Sequence, residues 1–172
     1  SYLTEANLLV RAESNPQTII EDQRANLPRP ATWEYTFERP TQDWSDVGFR
    51  NKMWLKAPGG FGTRIPGKTA KTLWNGKEIW MRSSFGAKEI PKSLALEILY
   101  DEDVEVYLNG TLLFSAKGHV TDYQQIPLDQ KALDAFQTGR NTLAVPCKQT
   151  AGGQFIDVAL RTGFKRETDL NK

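Results

Sequence analysis

The sequence predicts an all-β fold, an antiparallel β-sandwich, and three observations carry that prediction. Apolar residues recur with a period of two in short runs scattered from Trp33 to Leu160, the pattern of strands with one face buried. An Asn-Gly pair, Asn109-Gly110, stands between two such runs and marks a tight hairpin, because both residues tolerate positive φ. Only Asp129–Phe136 has helical spacing, with Leu133 and Phe136 three apart and Gly139 as a stop. Short strands joined by turns, with almost no helix, bury their apolar faces by packing as two antiparallel sheets.

Taken in order, Trp33–Glu38 alternates large apolar with polar residues and reads as the first strand. Ile79–Phe85 is the second, with Trp80 expected to point inward, and Leu94–Tyr100 is a third, more continuously apolar. Val104–Leu108 and Thr111–Phe114 flank the Asn-Gly turn as the arms of a hairpin. Asn141–Val145 and Gln154–Leu160 complete the set. Residues 57–78 (APGGFGTRIPGKTAKTLWNGKE) break the pattern, with five Gly and two Pro in twenty-two residues. A loop of that length inside a compact domain is unusual and often functional.

The flanks differ from the centre. Residues 1–32 pass from a short helix-compatible stretch into polar, proline-bearing sequence ending at Pro28 and Pro30, a linker or a segment belonging to a neighbouring domain. Residues 163–172 form a polar tail, leaving 33–162 as the sandwich. At 172 residues the chain has room for one core. No apolar run approaches the roughly 18–20 residues of a membrane span. With 22 Lys and Arg against 21 Asp and Glu, the chain has no global attraction to nucleic acid. The one cysteine (Cys147) excludes an intrachain disulfide and a cysteine-based zinc cluster, and the one histidine (His119) excludes a two-histidine metal site. The chain starts without Met and without a signal peptide, so it reads as a piece of a longer protein, and a secreted parent with an upstream signal fits as well as a cytoplasmic one.

Several strings resemble one family in order and spacing: WLKAPGGFGTR, TLWNGKEIWMRSSF, LEILYDEDVEVYLNGTLLF and TGRNTLAVPCKQTAGGQFIDVALR. They are similar to the galactose-binding-domain-like jelly rolls appended to secreted bacterial enzymes, above all the sugar-binding domains of glycoside hydrolase family 2 enzymes such as β-galactosidases; related modules accompany glutaminase-like multidomain proteins. The resemblance covers about residues 32–162. It implies a jelly-roll sandwich in which Trp80 and Arg82 pack beneath the long loop, Asp101–Gly110 is a turn followed by a hairpin, and Gly139–Val145 turns from the short helix into a core strand. Pro146 and Lys148 replace the histidines common in related sequences, so no polar role is implied for that strand. The implied role is noncatalytic: carbohydrate binding, or bracing of the parent's catalytic domain. The resemblance also implies a secreted, periplasmic or cell-surface parent.

The residues agree with a noncatalytic reading. Asp101, Glu102 and Asp103 stand together in a predicted turn, where acids cap their own backbone. His119 has no Gly-x-Ser-x-Gly elbow to serve, and Cys147 ends an apolar strand as a small buried hydrophobe. The G-G-x-G of the long loop lacks the following helix that a phosphate site needs. All five Trp fall between Trp33 and Trp80; Trp33 and Trp80 are expected in the core, Trp44 as a staple, and Trp54 and Trp74 beside the long loop. Sugar rings stack on aromatic faces while polar groups bind hydroxyls, so the predicted carbohydrate site is Trp74 and Trp54 with Arg64, Lys71 and Asn75. No cofactor is expected. A structural calcium would draw on Asp157, Asp101 or Asp103, without a dedicated calcium loop to define its ligands.

Overall fold

The computed structural model describes residues 32–51 and 53–162, so the expected tail and nearly all of the expected N-terminal segment lie outside the described residues. The strands are β1 (Trp33–Thr36), β2 (Leu55–Ala57), β3 (Phe61–Gly62), β4 (Thr72–Leu73), β5 (Glu78–Ala87) and β6 (Leu94–Asp101). They continue as β7 (Asp103–Leu108), β8 (Thr111–Ala116), β9 (Gln124–Pro127), β10 (Gly139–Lys148) and β11 (Phe155–Thr162). A 3-10 turn (Gln42–Ser45) follows β1, and one helix, α1 (Gln130–Ala135), precedes β10. One sheet has the order β2-β1-β5-β10-β7-β8 and the other β4-β3-β11-β6-β9. All pairings are antiparallel except β3 with β4. This is the predicted all-β sandwich.

Period-two alternation fills the space between the sheets. Val104, Val106 and Leu108 of β7 meet Leu143, Val145 and Cys147 of β10, and opposite them lie Leu96 and Ile98 of β6 with Ile156, Val158 and Leu160 of β11. Trp33 is in this core, as expected. The register of β5 is not. Ile79, Met81 and Phe85 face the core, so Trp80 points to the outer face of its sheet, where it is buried all the same at 6% exposure; its expected burial holds and its expected inward direction is corrected by one residue. Both parities of this strand are apolar and buried near its start, which leaves the periodicity with nothing to choose between them.

The long loop is more ordered than its composition predicts. Phe61 and Gly62 form β3 against β11, and Thr72 and Leu73 add β4 to its far side. Gly62 has φ 148°, and a Cβ there would lie 2.1 Å from the Gln154 carbonyl, so only glycine lets the loop reach the sheet. The loop then drives Trp74 into the core, where it is fully buried.

Turn chemistry closes the far end of the sandwich. Asn109 and Gly110 both have positive φ, 50° and 84°, as a two-residue hairpin turn requires. The Asn109 side chain donates to the Ala135 carbonyl at 2.8 Å and accepts from the Thr142 amide at 2.8 Å. Asn109 Nδ2 also donates to Asn141 Oδ1 at 2.8 Å. Asn141 accepts from the Gln137 amide at 2.9 Å and donates to the Gln137 carbonyl at 2.7 Å and that of Gly139 at 3.3 Å. Two asparagines thus join the β7–β8 hairpin, the end of α1 and the entry to β10. The start of α1 is capped by Asp129, which accepts from the Lys131 amide.

Candidate functional site

The outer face of the six-stranded sheet carries a depression of about 360 Å³, within the ~300–1,000 Å³ typical of ligand pockets. Its floor follows from strand parity. Because Met81, Val104, Val106, Val145 and Cys147 face the core, their neighbours Trp80, Asp103, Glu105, Tyr107, Pro146 and Lys148 face outward. Pro146 lies opposite Trp80 in register, and Lys148 lies opposite Glu78 on one side and Asp103 on the other.

One wall is the segment around the 3-10 turn. Arg82, on the outer face of β5 and 2% exposed, holds that segment down. Its guanidinium donates to the carbonyls of Trp44 and Asp46 and lies 5.1 Å from the Phe49 ring centre. Burial pulls Arg82 below the ordinary arginine range, opposed by the charge of Glu34. The expectation that Trp80 and Arg82 pack beneath the 57–78 loop is therefore corrected: Arg82 clamps residues 44–49 instead. Fixed in this way, Trp44 stands with its ring 6.2 Å from Trp54 and edge-on to Tyr107 at 6.4 Å.

The rim is made of matched charges. Arg39 pairs with Glu78 at 3.0 Å, and its guanidinium lies 5.5 Å over the Trp80 ring. Lys117 pairs with Asp103 at 3.6 Å. The Tyr107 hydroxyl donates to Glu105 Oε1 at 2.8 Å, and burial together with the adjacent carboxylate pushes its pKa up to about 12. The half-buried rings of Trp44 and Tyr107, above the buried Trp80 and beside carboxylates, ammonium groups and a guanidinium, form a surface that can stack an apolar ring face and exchange hydrogen bonds with hydroxyls around it.

None of the residues expected to bind carbohydrate lines this depression. Trp74 is fully buried, so its ring offers no stacking face, and the expected loop site centred on it is corrected. The loop uses Trp74 as its own anchor. Arg64, Lys71 and Asn75 are exposed on the loop surface above it. Trp54 is half-buried elsewhere, against Trp44 and Phe49, behind the wall of the depression. Trp44, Tyr107, Glu105 and Arg39 were missed by sequence reasoning, and Pro146 and Lys148 line the depression although no polar role was expected of their strand. The available signal was the polar parity of β7, Asp103-Glu105-Tyr107, interleaved with valines.

Three further donors converge at the β6–β7 turn: Asp101, Glu102 and His119, with ligand atoms all within 4.8 Å of one another. Glu102 is buried and accepts from Thr150 Oγ1 at 2.6 Å and the Ala151 amide at 3.1 Å. Burial raises the Asp101 carboxyl, Glu102 adds to the rise and His119 opposes it. Of the acids considered for calcium only Asp101 is in this group; Asp103 pairs with Lys117, and Asp157 accepts from the Tyr123 hydroxyl at 2.6 Å. An imidazole and a carboxylate already engaged do not suit calcium, which takes six to eight oxygens. Cys147 is buried, as expected, and burial holds its thiol far above the usual range.

No protein-family model matches the chain, and no curated protein matches it. Solved structures do. A glycosyl hydrolase family 2 member from Bacteroides cellulosilyticus aligns with TM-score 0.51 and 17% identity over 75% of this chain and 20% of that one. A calcium-binding mutant of Bacteroides uniformis β-glucuronidase 2 aligns with TM-score 0.54 and 18% identity, over 75% and 17%. Another Bacteroides uniformis β-glucuronidase aligns with TM-score 0.53 and 14% identity, over 75% and 16%. The fold is thus that of a β-sandwich domain found in family 2 glycosidases, as the sequence resemblance implied. The chain spans no more than a fifth of the length of these enzymes.

Proposed function

We propose that the chain is a noncatalytic accessory domain of a larger secreted bacterial glycan-degrading enzyme, and that it binds carbohydrate in the depression on the outer face of its six-stranded sheet. The observation that carries the reading is the grouping of Trp44, Trp80 and Tyr107 with Glu78, Glu105, Asp103 and Arg39 around one cavity of sugar-binding size. The fold shared with family 2 glycosidases supports a place inside such an enzyme. A noncatalytic role is supported by the alignments, which cover no more than a fifth of each of these glycosidases. One or two stacked rings give roughly 4–6 kcal/mol, hence binding in the millimolar to high-micromolar range. The test is titration of the domain with neutral oligosaccharides while amide shifts are followed by NMR. Shifts are expected at residues 44, 78–82, 103–107, 115–117 and 146–148, and Tyr107→Ala should abolish them. Shifts confined to residues 57–77 would overturn the assignment.

A second reading, bracing of the parent's catalytic domain, is favoured by a different surface. Tyr35 of β1 packs on Phe61 of β3 at 5.0 Å, so the edge strands β2 and β4 share one flank. Leu55 of β2 and Leu73 of β4 are more than half exposed, and Met53 beside β2 is 87% exposed. Exposed apolar side chains gathered on one flank mark an interaction surface. Binding of the isolated domain to the rest of its parent chain, lost in a Leu55→Asp, Leu73→Asp double variant, would support this role.

A further inference from the structure

Taking the outer-face depression as a carbohydrate site, we propose that its ligand is an uncharged glycan, and that the site discriminates against uronic acid and other anionic sugars. The charged groups lining the cavity are Arg39, Lys117 and Lys148 against Glu78, Asp103 and Glu105, three of each sign. The charges are also matched locally. Arg39 is spent on Glu78 and Lys117 on Asp103. Lys148 lies directly across β5 and β7 from Glu78 and Asp103, and residues paired in register share a face. Glu105 accepts from the Tyr107 hydroxyl, an uncharged donor, so its charge stands beside the aromatic rings where a sugar would stack.

Such a lining suits hydroxyl groups. A sugar hydroxyl donates to a carboxylate and accepts from an ammonium or guanidinium at once, so it inserts into each pair without separating charge. A sugar carboxylate only accepts. It would have to draw Arg39 or Lys117 from its acid, or approach Lys148 between Glu78 and Asp103, and in each case it would stand beside a carboxylate, a like-charge contact. A site built for an anionic sugar carries surplus cation, usually a guanidinium free to form a bidentate pair. Arg39 is not free, and Arg82 is turned under the wall onto the carbonyls of Trp44 and Asp46.

The experiment compares matched ligands, a neutral oligosaccharide series and the corresponding uronate series, by NMR titration and calorimetry. The neutral member is expected to bind at least about tenfold more tightly than its uronate counterpart. Its affinity should change less than about twofold between roughly 20 and 200 mM salt, since no net charge is neutralised. Glu105→Gln adds one net positive charge and should raise uronate affinity several-fold; a dispersed amide spectrum verifies its fold. Uronate binding as tight as or tighter than neutral binding in the unmodified protein would overturn the proposal while leaving the carbohydrate reading intact. Shifts with neither series would overturn the carbohydrate reading itself.

Discussion

Asn141→Ala tests the architecture most directly, because one side chain ties three elements together. Asn141 is fully buried and makes four hydrogen bonds, three of them between 2.7 and 2.9 Å. Alanine removes all four. Net hydrogen bonds contribute about 1 kcal/mol each, and a buried group left without its partner costs a further 1–3 kcal/mol. The Asn109 amide keeps the Ala135 carbonyl, and Gln137 and Gly139 are exposed residues whose freed groups can turn to water, so the loss is chiefly that of the four bonds themselves. The expected loss is therefore about 3–5 kcal/mol. With a urea slope near 2 kcal/mol per molar, the midpoint should fall by about 2 M with the slope unchanged, followed by tryptophan fluorescence. Asn75→Ala, on the exposed loop, is the control and should stay within about 0.5 kcal/mol. A midpoint shift below about 0.5 M for Asn141→Ala would refute the idea that this network joins hairpin, helix and strand.

Met81→Lys places an ammonium in the core between the sheets and should prevent folding, whereas Trp80→Lys opens onto the depression and should fold while losing the site; the reverse outcome, read from amide dispersion, would restore the opposite register. Tyr107 should ionise late, near pH 12, and Tyr107→Phe should remove that late step from a 295 nm titration. The sign follows from the raised value: the fold favours the neutral phenol, so this contribution is complete below the ordinary tyrosine value of about 10 and is lost as pH climbs toward 12. Tyr107→Phe should flatten the fall in stability over that interval.

The local rules were legible in the residues. Period-two alternation in Val104–Leu108 and Asn141–Val145 located β7 and β10, the Asn-Gly pair located β8 as the hairpin partner of β7, and Asp129 marked the start of the helix, because each signal is contained in a few consecutive residues; the helix ends at Ala135, short of the expected stop at Gly139, which opens β10 instead. The two- and three-residue strands β2, β3 and β4 were not legible, since a pattern of period two needs more residues than they have. Tertiary structure alone decided the parity of β5, where both Trp80 and Met81 are apolar and only the position of the second sheet selects the inward one. It alone buried Trp74, because Gly62 lets the loop lie against β11 and its carbonyl accepts from the Trp74 amide, which holds the indole in the core. The candidate site is the clearest case: Arg39, Trp44, Glu105, Tyr107 and Lys148 are spread over more than a hundred residues. No spacing in the sequence records that strand order β5-β10-β7-β8 sets them around one cavity.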